Sequence, residues 1–200
     1  MRRIVLIDGE NLTHALRELL GDQEAALRSE LEAYDFRGLI DELLSDQAPS
    51  ELLWFGARLR KYDQSDELRQ KTEAAIAWQA RFINHMQRQK ITFIKVGYLR
   101  ARQPDPCIQC GCSKWSLAEK GVDVGLAVRL LREASDDIEL VVISADTDLL
   151  PAIKEARRQG AKIMHIGYEH RPIAALSQAA DRTRLITGPL AKKYSKQGDL

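Results

Sequence analysis

The side chains best suited to chemistry in this chain are carboxylates that follow short apolar runs. Val141–Ile153 reads VVISADTDLLPAI, with Asp146 and Asp148 just after a β-branched run, and Asp8, Glu10 and Asn11 follow Ile4–Ile7 in the same way. Asp123 stands near the start of a third amphipathic stretch. Carboxylates held a few ångströms apart cannot all stay ionised without compensation. A divalent cation supplies it. Oxygen-only ligands suit Mg²⁺ or Mn²⁺, ions that activate a water against a phosphodiester. Each acid also has a structural reading, since an Asp between strand and helix commonly caps the helix and Glu10 could complement a helix dipole. That reading explains Asp8, Asp123 and Asp146 less well as a set, because three separate segments would have to aim acids at one place by accident.

Whether these acids meet depends on the elements that carry them. VVIS is short, apolar and β-branched, as in a buried strand of a parallel sheet, while Leu149, Leu150, Ile153 and Ala156 recur at helical spacing. Arg2–Ile7 reads as a first strand, ahead of a helix carrying Leu12, Leu16, Leu19 and Leu20. Asp35 looks like the cap of a helix over Phe36–Leu44; Glu51–Leu59 is a second strand, Asp66–Lys90 a long helix and Ile91–Val96 a third strand. Gly121–Ala134 is a helix, Glu139–Ser144 and Ala161–Ile166 are the fourth and fifth strands, and a last helix spans about Ile173–Ala180. This alternation predicts a three-layer α/β/α fold around a parallel sheet of about five strands with right-handed crossovers. In a 3-2-1-4-5 order the first and fourth strands are neighbours. All the acids then share one rim, at the switch point where open sheets bind ligands.

Two hundred residues suffice for one such domain, with 44% apolar and 30% charged residues as in an ordinary globular protein. A net charge of +1 gives no global attraction to nucleic acid, so a polyanionic partner must be held by a local patch. Ile4–Ile7 is too short for a signal-peptide core or a membrane span, so the default expectation is a cytoplasmic protein without membrane contact. Residues 1–186 are expected to form the domain, and residues 187–200, with Lys192, Lys193 and Lys196, a mobile basic tail.

The same rim logic gathers bases and aromatics. Arg58, Arg60, Lys61 and Tyr62 follow the second strand, Tyr98, Arg100 and Arg102 the third, and His165, Tyr168, His170 and Arg171 the fifth. Cations for phosphates and aromatic faces for unpaired bases are what a single-stranded RNA groove needs; a solvated loop surface is the plainer alternative. The cysteines, Cys107, Cys110 and Cys112, fall in a loop-like insert at about 98–116. They can share a structural Zn²⁺ if a fourth ligand comes from His85, His165, His170 or a second subunit; free thiols are the other reading. Their clustering rules out an internal disulfide framework and suits a reducing compartment.

The stretches IDGEN at 7–11, KGVDVGLA at 120–127 and SADTDLLP at 144–151 resemble the NYN-domain family, a branch of the PIN-like nucleases that includes the bacterial LabA-like proteins. The resemblance spans roughly residues 3–186. It implies a PIN-like strand order and an acidic cluster that binds Mg²⁺ or Mn²⁺ for cleavage of RNA, single-stranded or structured. Residue by residue, the family's first acid falls on Asp8, its amide on Asn11, its central acid on Asp123 and its last pair on Asp146 and Asp148. Ser144 occupies the family's usual serine, and Ala145 stands where the family commonly has Gly. The cysteine-bearing insert is not a constant of the family. The expectation is a metal-dependent endoribonuclease with Asp8, Asp123 and Asp146 as ligands, Asp148 as an auxiliary ligand or water-orienting acid, and Asn11 positioning a ligand or phosphate. Ser144, Arg58, Arg60, Lys61, Tyr98 and Arg100 are the expected substrate contacts, and a homodimer is a further expectation. An RNA-binding or regulatory module without turnover and a small-molecule phosphohydrolase are the competing functions.

Overall fold

Both faces of the first strand are apolar, and the architecture follows from covering them. The computed structural model describes residues 1–21, 29–103, 109–110, 113 and 115–195. In strand β1 (Arg2–Asp8) side chains alternate between the two faces, and every residue from Arg3 to Asp8 is buried. Val5 and Ile7 enter one core with Leu12, Leu16, Phe36, Trp54, Phe82 and Met86. Ile4 and Leu6 enter a second with Phe55, Leu126, Leu130, Ile153 and Leu176. The first core is closed by helices α1 (Gly9–Leu20), α2 (Phe36–Leu43) and α3 (Asp66–Arg88), the second by α4 (Val122–Glu133), α5 (Leu150–Arg158) and α6 (Ala174–Ala179). This is the α/β/α sandwich that the alternating pattern predicts.

Among the described residues the sheet has seven strands, where the sequence suggests about five. They are β1, β2 (Glu51–Arg58), β3 (Thr92–Arg102), β4 (Ser116–Lys120), β5 (Ile138–Ile143), β6 (Lys162–Tyr168) and β7 (Arg182–Ile186), in the spatial order β4-β3-β2-β1-β5-β6-β7. The five central strands keep the expected 3-2-1-4-5 arrangement, all parallel. The additions lie at the edges: β7 pairs parallel with β6, and β4 antiparallel with β3. β1 has β2 on one side and β5 on the other, so connections diverge there and the crevice opens at their C-terminal ends.

Two regions differ from the sequence reading. Residues 97–102, expected as the start of a loop, prolong β3, because Gly97 takes a left-handed φ of +61°. A Cβ there would lie 2.1 Å from the carbonyl oxygen of Lys120, so glycine is what lets β4 come alongside. Within the insert, Cys110 is exposed, and Cys107 and Cys112 lie outside the described residues. The segment from 187, expected as a mobile tail, carries helix α7 (Gly188–Lys193). Its Ala191 is buried and accepts a 2.8 Å hydrogen bond from the Tyr34 hydroxyl through its carbonyl oxygen. Among the described residues no helix is long and apolar enough to cross a membrane.

The rim opposite the crevice is pinned by charge. Arg3, 1% exposed, pairs with buried Glu139 on the neighbouring strand and reaches Asp46 at 3.2 Å. Arg182 bonds both acids, and Arg184 reaches Asp46 at 3.3 Å. The Arg3 bond, then that of Arg182, hold the Asp46 carboxyl well below the usual range. Removing one member of a buried pair leaves a charge without compensation, at a cost of about 3–5 kcal/mol. Arg3→Met is expected to cost about 3 kcal/mol in urea unfolding, the low end because Arg182 still engages Glu139. A loss below about 1 kcal/mol would show that the pair does not hold the strands.

Candidate metal centre

β1 delivers Asp8 to the crevice, and the chain turns there at once into α1. Asp8 caps that helix, its Oδ1 accepting from the N–H of Asn11 at 3.2 Å. Gly9 permits the tight turn against β2, since a Cβ would lie 2.1 Å from Trp54 Nε1. On the adjacent strand, Ser144 follows the last residue of β5. Its hydroxyl donates to Asp8 Oδ2 at 2.8 Å and accepts from the N–H of Asp146 at 3.0 Å. Asn11 accepts from the N–H of Ala145 at 2.9 Å through Oδ1. Asp146 caps the short helical turn Thr147–Leu149, accepting from the N–H of Asp148 at 2.9 Å. Capping and clustering are therefore both true of these acids.

Asp123 arrives from the first turn of α4, entered through Gly121 at φ +78°. One oxygen each from Asp8, Asp123 and Asp146 lie within 4.8 Å of one another, a group able to hold a metal ion. All three donors are hard carboxylate oxygens, which fit Mg²⁺ or Mn²⁺ better than a softer metal. Asp148, expected among the ligands, falls outside this group; it is exposed, and its charge acts on Asp123.

The electrostatics show what holding these acids together costs. Burial pushes the Asp8 carboxyl up from 3.8 to about 6; the Ser144 and Asn11 bonds oppose the rise, and Asp123 and Asp146 add to it. Asp123 is raised too, by burial first and then by Asp146 and Asp148. Sequence reasoning missed Glu119 on β4. Burial, then the charge of Glu10, raise Glu119 to about 7, with Asp8 and Asp123 contributing less.

Other expected residues fall in different places. Ser144 is fully buried, so it orients Asp8 and Asp146 and cannot meet a substrate. Lys61 is paired with Glu73 at 2.7 Å, and the Arg60 guanidinium lies 4.6 Å from the Tyr62 ring centroid. Tyr62 is itself buried, donating to the carbonyl oxygen of Leu99. Arg58, Tyr98 and Arg100 are exposed, with Arg58 and Tyr98 opposite each other across β2 and β3. Arg171 lines the acidic cleft with His14 and Glu18. The histidines suggested for zinc are otherwise engaged. His85 bonds the carbonyl oxygen of Tyr34, His165 donates to that of Ser144, and His170 pairs with Glu18 at 2.6 Å.

Asp8 predicts a pH dependence. The folded state holds its proton more tightly than the unfolded chain, so the associated stability is present below about pH 4 and lost as pH rises through about 6. Asp8→Asn keeps the cap but removes that loss. Without metal, its stability relative to wild type should increase between pH 4.5 and 7.5, by on the order of 2 kcal/mol. Urea titrations in chelator at both pH values measure the difference; a constant one would mean Asp8 ionises in the fold as freely as in the open chain.

Comparison with known proteins accords with this architecture. A crystal structure of a protein of unknown function from Vibrio parahaemolyticus aligns over 92% of each chain at 15% identity, with a TM-score of 0.55, which shows a shared fold. A phosphofructokinase-2 mutant from Escherichia coli aligns over 88% of this chain and 57% of its own, at 11% identity and a TM-score of 0.38, too low to bear on the fold. Comparison with curated proteins gives no match. The model of the NYN domain matches residues 2–187, nearly the whole sequence, and the chain belongs to the NYN-domain family of PIN-like nucleases.

Proposed function

We propose that this protein is a metal-dependent endoribonuclease that hydrolyses phosphodiester bonds of RNA, unpaired or in exposed loops of a structured molecule. The observation that carries the reading is the convergence of Asp8, Asp123 and Asp146, from three separate segments, within 4.8 Å at the sheet's switch point. When bound, Mg²⁺ or Mn²⁺ supplies charge neutralisation at the scissile phosphate and an activated water. The protein's part is to fix the ligands. Ser144 and the start of α1 lock Asp8, and the Thr147–Leu149 turn locks Asp146, so neither carboxylate must reorganise during the reaction.

Asp123 is exposed, the most accessible of the three acids to an incoming phosphodiester. Asn11 is held by its oxygen on Ala145, which leaves its NH₂ group to donate to a phosphate or a ligand. Arg171 supplies a cation in the same cleft, and Asp148, exposed two residues beyond Asp146 with its charge acting on Asp123, orients water. Arg58, Tyr98 and Arg100 form the outer track for the RNA backbone and bases. A cytoplasmic location fits an RNA substrate, and a reducing compartment would keep the clustered cysteines reduced, the form that binds zinc.

The test is incubation of purified protein with labelled single-stranded RNA, with Mn²⁺ and with chelator. Cleavage in Mn²⁺ alone is expected; cleavage of nucleoside monophosphates with RNA left intact would favour a small-molecule phosphohydrolase, and binding without turnover a regulatory module. Asp146→Asn keeps an oxygen for the N–H of Asp148, so the fold should persist by circular dichroism while cleavage falls roughly a hundredfold or more. The same variant should melt higher than wild type in chelator and gain less from Mn²⁺. Wild-type cleavage by the variant would sink the site assignment.

A further inference from the structure

Beside the acidic cleft lies a second concavity, of about 270 Å³, and Glu10 and His14 line both. Its walls are aromatic. Trp78 stacks on Phe82 with ring centroids 4.9 Å apart and planes 15° from parallel, while Trp54 and Phe93 meet Phe82 edge-on at 5.2 and 6.5 Å. The volume falls just under the roughly 300–1,000 Å³ of sites for drug-sized molecules, which suits one flat heterocycle rather than two.

The polar groups here are held in place by an irregularity of the sheet. The register of β2 against β3 shifts between Gly56 and Arg58, which leaves the backbone of Ala57 to find partners elsewhere. Glu119 accepts from the N–H of Ala57 at 3.2 Å, and Gln79 donates its NH₂ to the carbonyl oxygen of Ala57 at 3.0 Å. Each side chain is thereby fixed with an oxygen left over, and both line the cavity. Together with Glu10 they make a rim of acceptors on an aromatic box. The matching ligand is planar and carries adjacent N–H donors. Among the bases of RNA, guanine alone presents a ring N–H and an amino group side by side, a fork that fits one carboxylate; adenine, cytosine and uracil each set an acceptor next to the donor.

We propose that this cavity receives an unpaired guanine base of the RNA, held against the half-buried Trp78 and Phe93, which Trp54 and Phe82 back from the core, with its N1–H and N2 donors on the Glu119 carboxyl. This rests on the ribonuclease reading, and it makes guanine the base beside the cleavage position. Stacking on aromatic faces is tolerant of sequence, so the discrimination comes from Glu119.

Trp54 and Trp78 are two of the three tryptophans in the chain, so occupancy is read by intrinsic fluorescence. The probe is guanosine in chelator, which carries no phosphate and does not need the metal site. Guanosine should quench saturably, with adenosine, cytidine and uridine at least about tenfold weaker, as expected for one bidentate base contact. Glu119→Gln should bring guanosine down to the level of the other three, while Mn²⁺ still raises its melting temperature as in wild type. Trp78→Leu should weaken guanosine while leaving the Mn²⁺ shift intact. In Mn²⁺, wild type should cut RNA next to guanine and cut guanine-free RNA at least about tenfold more slowly. No quenching by guanosine, or equal quenching by all four nucleosides, overturns the guanine site even if RNA is cleaved. Selective guanosine binding with no cleavage of any RNA overturns the ribonuclease reading instead and keeps the base site.

Discussion

The buried carboxylate of Asp8 is the constraint to which the upper half of the molecule answers. It sits at 4% exposure, at the end of a strand with neighbours on both sides, where it lines the acidic cleft. A carboxylate in that position must be hydrogen-bonded or lose its charge. The chain does some of each. Ser144 and Asn11 give Asp8 two donors, and the remaining imbalance appears as a raised proton affinity. The single hydroxyl of Ser144 serves both Asp8 and Asp146, so the acids of β1 and β5 are set by the same atom. Beneath them, His165 props the carbonyl of Ser144; burial holds its imidazole below the ordinary value, and its Nδ1 is buried without a partner among the described residues.

The two ends of the sheet treat charge in opposite ways. At the N-terminal ends, Arg3, Arg182 and Arg184 neutralise Asp46 and Glu139 in a closed network that ties β1, β5, β7 and the turn before β2. At the C-terminal ends, acids gather with fewer cations, Arg171 being the one guanidinium among the described residues that line their cleft. The first arrangement fixes the strands against one another, so the second can be held in spite of its repulsion. Stability is concentrated at one rim and the capacity for chemistry at the other, the usual division in open α/β sheets.

What the sequence made legible was whatever contiguous residues encode. Ile7-Asp8 and Ser144-Ala145-Asp146 each write strand, turn and acid in a few positions, and alternating periods of two and 3.6 then bring them to one rim. Asp148 stands outside the three-acid group because the Asp146 side chain captures its N–H and closes a tight turn, which leaves this carboxylate exposed. Ser144 carries no sign of its role, since a serine that bonds two acids looks like any other serine at a strand end. Glu119 was hidden for a topological reason: SLAEK has no apolar run, and its position depends on an antiparallel pairing across the insert. β7 was equally faint, because an edge strand reading RTRLI buries little.

That faint strand bears on how copies of the chain can meet. An open sheet edge is a template for another strand, and proteins commonly blunt it with charge. Here Arg182 and Arg184 both bend back from β7 onto Asp46, and Arg184 also donates to the carbonyl oxygen of Leu43. A strand laid against this edge would run beside two cations whose acidic partners are already taken. Growth of the sheet from that side into ribbons or swapped pairs is thus disfavoured, and self-association, where it occurs, falls to surfaces other than the β7 edge.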